Sequence, residues 1–197
     1  MVISKDNFYI QIKFFRLITG KDFKQFDLMK TSKATLPDIP QLVVLINSAY
    51  RGDSSKKGWT TEADLLDGIR TDADSLEQMI TRKDAVILQS FNENNILQGC
   101  VYLEKRQDKM YLGMLTVSPL EQAKGIGKHL LIEAEKYASE QKCSIIEMTV
   151  ISVRSELIAW YQKHGYNNTG ETKPFPDDIK FGIPKQPLEF IVMQKEI

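Results

Sequence analysis

The stretch Gln122–Leu131, QAKGIGKHLL, combines residue types and spacing that suit a chemical task. Gly125 and Gly127 stand one residue apart between Lys124 and Lys128, and the chain then runs into an apolar helical pattern. A glycine turn ahead of a helix converges backbone N–H groups on one small volume at the positive end of the helix dipole, which suits an anion such as phosphate. Glycine lets phosphate oxygens approach the main chain and supplies positive φ. A Walker loop would need glycine at Gln122 and Ser or Thr at His129. A dinucleotide fingerprint would need a small residue at Leu130 and a strand that opens a parallel βαβ unit. Neither pattern is met, and a turn that merely reverses the chain stays open.

Three strand-like runs precede this loop: DAVILQSF, ILQGCVYLEK and KMYLGMLTVS. NENN and RQD separate them as hairpin connections, so three antiparallel strands in sequence are predicted. Beyond the loop, periodicity predicts a helix from about Ile126 to Glu140 with Ile126, Leu130, Ala134, Tyr137 and Ala138 on one stripe. A strand, CSIIEMTVI, and a helix, SELIAWYQKH, follow; the helix stops at Gly165, where a left-handed residue commonly ends one. Upstream, a short strand is expected around Leu28–Lys33. A helix then starts with Asp38 as N-cap and Pro40 in its first turn, burying Ile39, Leu42, Val43, Ile46 and Ala49. Arg51–Gly58 reads as a polar loop. It leads into a helix capped at Thr60 or Thr61 and carrying Leu65, Leu66 and Ile69, then another capped at Asp74 or Ser75 and carrying Leu76, Met79 and Ile80. The chain is expected to close with a loop, GETKPFPDDIKFGIPKQP, and a final strand, LEFIVMQK. Residues 1–25 read as an extension of open role ahead of a domain over residues 26–197.

A length of 197 residues with 42% hydrophobic content suits one compact domain with a substantial core. Lys plus Arg balances Asp plus Glu at 26 each, so bulk charge calls for neither nucleic acid nor a membrane surface as partner. No run reaches the roughly 18 apolar residues a spanning helix needs. The apolar pieces at the N-terminus are broken by Lys5, Asp6, Lys13 and Arg16, a poor signal peptide, and a cytoplasmic location is expected. Cys100 and Cys143 read as buried free thiols. His129 and His164 lack Cys or His partners, so no metal site is expected.

Two blocks, YLGMLTVSPLEQAKGIGKHLLIEAEKYA and MTVISVRSELIAWYQKHGY, resemble the coenzyme A binding core of the GNAT N-acetyltransferases. Gln122, Gly125, Gly127, Tyr161, Gly165 and Tyr166 fill that family's places, and the resemblance covers about residues 26–197. It implies an α/β (mixed α+β) fold: a central, mixed, mostly antiparallel sheet of about six to seven strands, splayed at the cofactor cleft, with helices on both faces. The implied activity is direct transfer of an acetyl group from acetyl-CoA to a primary amine of a small molecule or peptide, without a metal. A non-catalytic acyl-CoA-binding module of the same fold is the alternative. Pairing into a homodimer through the open end of the sheet stays an option.

By resemblance, Gln122, Ala123, Lys124, Gly125, Ile126, Gly127 and Lys128 form the cofactor loop, in which the N–H groups from Lys124 to Lys128 would hold the pyrophosphate and Gln122 would shape the turn, and the main chain of Leu115, Thr116 and Val117 would run beside the pantetheine arm. Tyr161 takes the position of the acid that protonates the departing thiolate; packing of a helix onto the sheet is its other reading. An alkyl amine with a pKa near ~10.4 must lose a proton before attack. The positions where some members carry a basic Glu hold Tyr111 and Thr149 here. Glu147, two residues from Thr149 on the same strand face, is the candidate base, directly or through water. Arg154 stands where many members have Asn, and meets a phosphate or an acidic substrate, or faces water. Arg51, Trp59 and Glu62, with Arg70, lie in the segment that walls the acceptor site in this family, with helix starting and loop plugging as their other readings.

Overall fold

The computed structural model describes residues 29–176, 180 and 182–197. In chain order its elements are β1 (Lys30–Lys33), a 3-10 turn (Leu36–Asp38), α1 (Ile39–Tyr50), α2 (Gly52–Ser55), β2 (Leu66–Asp67) and α3 (Ala73–Thr81). Then follow β3 (Ala85–Phe91), β4 (Leu97–Arg106), β5 (Lys109–Val117), α4 (Ile126–Glu140), β6 (Ile145–Ile151) and α5 (Ser155–Lys163). The chain ends with β7 (Asn167–Pro174), β8 (Ile183–Pro184) and β9 (Glu189–Glu196). Residues 1–28, which include the expected N-terminal extension and Leu28 of the first strand, lie outside the described residues.

Seven strands form one sheet in the order β1-β3-β4-β5-β6-β9-β7, and β2 with β8 forms a separate two-stranded pair. Every neighbour in the large sheet is antiparallel except β5 and β6, which run parallel. Side chains alternate across a pleated strand, and here both alternating sets are apolar. Val86, Leu88, Val101 and Leu103 join α4 and α5 in one core, while Ile87, Cys100 and Tyr102 join α1 and α3 in the other. Helices therefore cover both faces. Cys100 and Cys143 are free and buried, and burial pushes the Cys100 thiol up to about 12.

Two features of the central strands shape the molecule. First, β5 and β6 pair only at Lys109–Ile145, Met110–Ile146 and Tyr111–Glu147. Beyond these three pairs the strands part. Second, β5 carries a bulge: Tyr102 opposes Gly113 and Cys100 opposes Thr116, so Met114 and Leu115 together face one residue of β4. Met114 adopts φ of 53° there. The extra residue inverts the alternation. Met110 and Leu112 point to the α4 side and Met114 to the α1 side, after which Leu115 and Val117 pack on the α4 side again.

Several local expectations are corrected. No helix forms after Thr60; Leu66–Asp67 pairs instead with Ile183–Pro184. The threonines do not cap a helix there, because Thr60 Oγ1 accepts from Gln122 and Thr61 Oγ1 lies 2.7 Å from Ser55 Oγ. Asp72 caps α3, accepting from Ser75 N–H at 2.9 Å, in place of Asp74 or Ser75. The Asp38 carboxylate turns back to Thr35, closing the 3-10 turn without capping α1 by its side chain. Part of the expected closing loop is strand β7, paired with β9.

Candidate active site

Where β5 and β6 part, the loop from β5 to α4 and the first turn of α4 line a cleft of about 330 Å³. Its walls include Leu115, Val117, Gln122, Ala123, Gly125, Ile126, Gly127 and Lys128, together with Tyr50, Trp59, Leu157, Trp160 and Tyr161. Gly125 is the α4 N-cap with φ of 78°, a left-handed conformation, and Ala123 before it also has positive φ. The first helical hydrogen bond runs from His129 N–H to the Gly125 carbonyl at 2.9 Å. The N–H groups of Gly125, Ile126 and Gly127 have no acceptor among the described residues and stand at the positive end of a fifteen-residue helix. That arrangement fits a pyrophosphate. The Trp160 ring packs over Gly127, where a Cβ would lie 3.4 Å from it, at ordinary contact distance.

The other residues named for this loop divide. Thr116 is turned away, 1% exposed, with its hydroxyl donating to the Met114 carbonyl at 2.9 Å. Lys124 pairs with Glu121 at 2.8 Å. Gln122 reaches across the cleft mouth: its Oε1 accepts the Trp59 N–H at 2.9 Å and its Nε2 donates to Thr60 Oγ1 at 2.8 Å. Arg154, 5% exposed, grips the same segment from the opposite side. Its guanidinium donates to the carbonyls of Trp59 at 3.3 Å and Thr60 at 3.4 Å, and to Glu156 at 2.9 Å. Of its expected readings, facing water is the one the structure removes. Residues 58–60 thus form a strap pinned from both sides, and a Cβ at Gly58 would collide with the Gln122 amide at 2.8 Å.

Tyr161 sits at a junction. It lines the loop-walled cleft and also a second cleft of about 140 Å³ between the parted strands, bounded by Tyr111, Met148, Thr149, Arg70 and Phe190. It is 6% exposed, and its hydroxyl has no hydrogen-bond partner among the described residues. Burial raises the phenol well above its ordinary value, with Tyr50 and Tyr166 adding and Arg154 opposing. Tyr50 lines both clefts too. Its hydroxyl, pushed up to about 12 by burial, donates to the Leu115 carbonyl at the bulge at 2.6 Å. A third cleft of about 280 Å³ lies outward, with Arg51, Glu62, Leu66, Arg70, Phe175 and Phe190 on its walls.

The remaining predicted residues fall in different places. Arg51 and Glu62 form a buried ion pair on the outer cleft. Trp59 lies on the first cleft, its ring centroid 6.1 Å from that of Trp160. Glu147 lines none of these three clefts. It accepts from Gln194 at 2.7 Å and Lys109 at 3.2 Å, with Lys173 at 3.8 Å. Burial alone would raise its carboxyl, but these partners outweigh it and hold the group below the usual value. Tyr50, Leu157 and Trp160 are wall residues that sequence reasoning did not assign to the site. Tyr50 ends the buried stripe of α1, and nothing in its spacing separates a wall residue from a core one. Among the described residues no group of three or more His, Cys, Asp or Glu side chains could hold a metal, and no helix is long and apolar enough to cross a membrane.

The profile of an acetyltransferase (GNAT) domain matches residues 60–181. The chain belongs to the GNAT acetyltransferase family. Solved structures similar to this GNAT chain include the ribosomal-protein-S18-alanine N-acetyltransferase of Escherichia coli, with TM-score 0.65, 13% identity and coverage of 86% of this chain and 94% of that one. The PaiA N-acetyltransferase of Thermoplasma acidophilum in complex with coenzyme A matches with TM-score 0.62, 20% identity and coverage of 86% and 99%. A GNAT family acetyltransferase of Elizabethkingia anophelis with acetyl-CoA bound matches with TM-score 0.59, 17% identity and coverage of 87% and 99%. At these identities the likeness shows the fold. A search of curated protein sequences finds no significant match.

Proposed function

We propose that this chain transfers an acetyl group from acetyl-CoA directly to a primary amine, with Tyr161 protonating the departing thiolate. The carrying observation is the position of Tyr161 where the loop-lined cleft meets the one between the parted strands. The free amides of Gly125, Ile126 and Gly127 fit the pyrophosphate, Leu115 and Val117 on the parted edge fit the pantetheine arm, and two solved relatives hold coenzyme A or acetyl-CoA. When bound, the thioester supplies the activated acyl group; the protein supplies position and protons. A phenol raised by burial stays protonated at neutral pH, so Tyr161 serves as a donor and not as a base. With no hydrogen-bond partner among the described residues, the hydroxyl is free to point at a sulfur.

Glu147 has three partners and no place on the clefts, so the reading that fits is an amine that arrives neutral or passes its proton to water. Tyr161→Phe keeps the ring packed and removes the donor. Thiol release from acetyl-CoA should fall by about a hundredfold or more, while calorimetry with coenzyme A shows little change. Unchanged turnover would sink the acid role. Tight cofactor binding by the unaltered chain, with no amine-dependent thiol release across a panel of amines, would favour a binding module of the same fold.

A further inference from the structure

We infer that the acceptor is a small primary amine bearing its own carboxylate, an amino acid in chemical class, and that Arg70 selects it. The inference rests on the acetyl-transfer reading above and names its substrate class. Arg70 lines both the cleft between the parted strands and the outer cleft. Its backbone is fixed from α1: Asn47 Oδ1 accepts the Arg70 N–H at 2.7 Å and the Thr71 N–H at 3.2 Å, and Asn47 Nδ2 donates to the Thr71 carbonyl at 2.9 Å. The guanidinium carbon stands 5.4 Å from the centre of the Tyr50 ring, beside the junction where Tyr161 lies.

Every other arginine of the described residues answers a carboxylate: Arg51 pairs with Glu62, Arg82 and Arg106 with Glu104, and Arg154 with Glu156. Arg70 has none among the described residues. Among the described residues, the single carboxylate on the walls of the two clefts is Glu62, already held by Arg51. The described walls of the clefts therefore carry more arginine than carboxylate in a concave space, where a field is focused. A guanidinium fork matches a carboxylate in two parallel hydrogen bonds, which a polyamine cannot offer and which like charge would oppose. Phe175 and Phe190 stack at 5.1 Å and 27° on the outer wall, an apolar seat for the side group of such an acceptor. Volumes of about 140 and 280 Å³ suit a small molecule.

The test compares phenylalanine, phenylalaninamide and spermidine as acceptors, by thiol release from acetyl-CoA with each rate corrected for its fraction of free amine. Phenylalanine should exceed its amide by about ten- to a hundredfold in kcat/KM, the range of a charge-assisted hydrogen bond. Arg70→Gln should bring that ratio near one, and Arg70→Lys should keep part of it. Thermal melting without acetyl-CoA gives a second readout: phenylalanine should raise the Tm of the unaltered chain and not that of Arg70→Gln. Equal use of acid and amide, or a preference that survives Arg70→Gln, would overturn the inference while leaving acetyl transfer standing. Should no amine release thiol, acetyl transfer itself fails, and the melting experiment alone decides whether Arg70 binds a carboxylate; no shift overturns it.

Discussion

Gln122 carries more than the shape of a turn. Its amide makes two hydrogen bonds to the strap, at 2.9 and 2.8 Å, and so ties the loop before α4 to the segment that leads to Glu62. Such bonds contribute about 0.5–1.5 kcal/mol each, and the Trp59 amide loses its acceptor if the side chain goes. Gln122→Ala should therefore cost about 1–3 kcal/mol in denaturant unfolding and raise KM for acetyl-CoA several-fold as Trp59 slackens against Trp160. An unchanged KM with reduced stability would show that the strap braces the fold without shaping the cofactor cleft. From the other side Arg154, at the start of α5, reaches the carbonyls of both Trp59 and Thr60 with its planar guanidinium and braces the same strap.

At the scale of elements, the bulge in β5 decides which way the cleft walls face. Gly99 on β4 allows it. A Cβ there would lie 2.6 Å from the Thr116 carbonyl oxygen, a backbone atom that cannot step aside. Gly99→Ala should destabilise the fold by about 1–3 kcal/mol through overpacking and depress activity beyond what the residual folded fraction explains; circular dichroism melts paired with assays check both. How much of this was legible depends on periodicity. The helix over Ile126–Glu140 was readable to the residue because its apolar stripe repeats at the helical period and glycine marks its start. The bulge was invisible, since KMYLGMLTV reads as one unbroken strand and the extra residue shows only in pairing with β4. Strand β7 was missed because NNTGETKP is polar and almost wholly exposed, so pairing with β9 makes it a strand and composition does not. The glycine loop and Tyr161 could be singled out from spacing and resemblance, whereas Tyr50 and Trp160 joined the walls through contacts between elements distant in sequence.

For the whole molecule, Glu147 acts as a staple. Its carboxylate on β6 gathers Lys109 of β5, Gln194 of β9 and Lys173 of β7, holding four strands together at the closed end of the split. Because its folded pKa lies below the unfolded value of about 4.3, the stabilisation it gives is present above that pH and is lost as pH falls through the folded value. Glu147→Gln should thus be less stable than the unaltered chain at pH 7, and the gap should narrow on acidification below about pH 4.3. A gap independent of pH would assign the loss to shape and not to charge. Few of these long-range relations follow from net charge, which is zero for the chain.

Three rungs between β5 and β6 are few for neighbours at the heart of a sheet. Most proteins confine bare main-chain edges to the rim, where they can be blunted by charge or cover. This one keeps an open seam at its centre, which the peptide-like arm of the proposed cofactor would complete rung by rung. Under the proposed function the cofactor would double as stitching for the sheet, shielding the seam from unwanted extended chains.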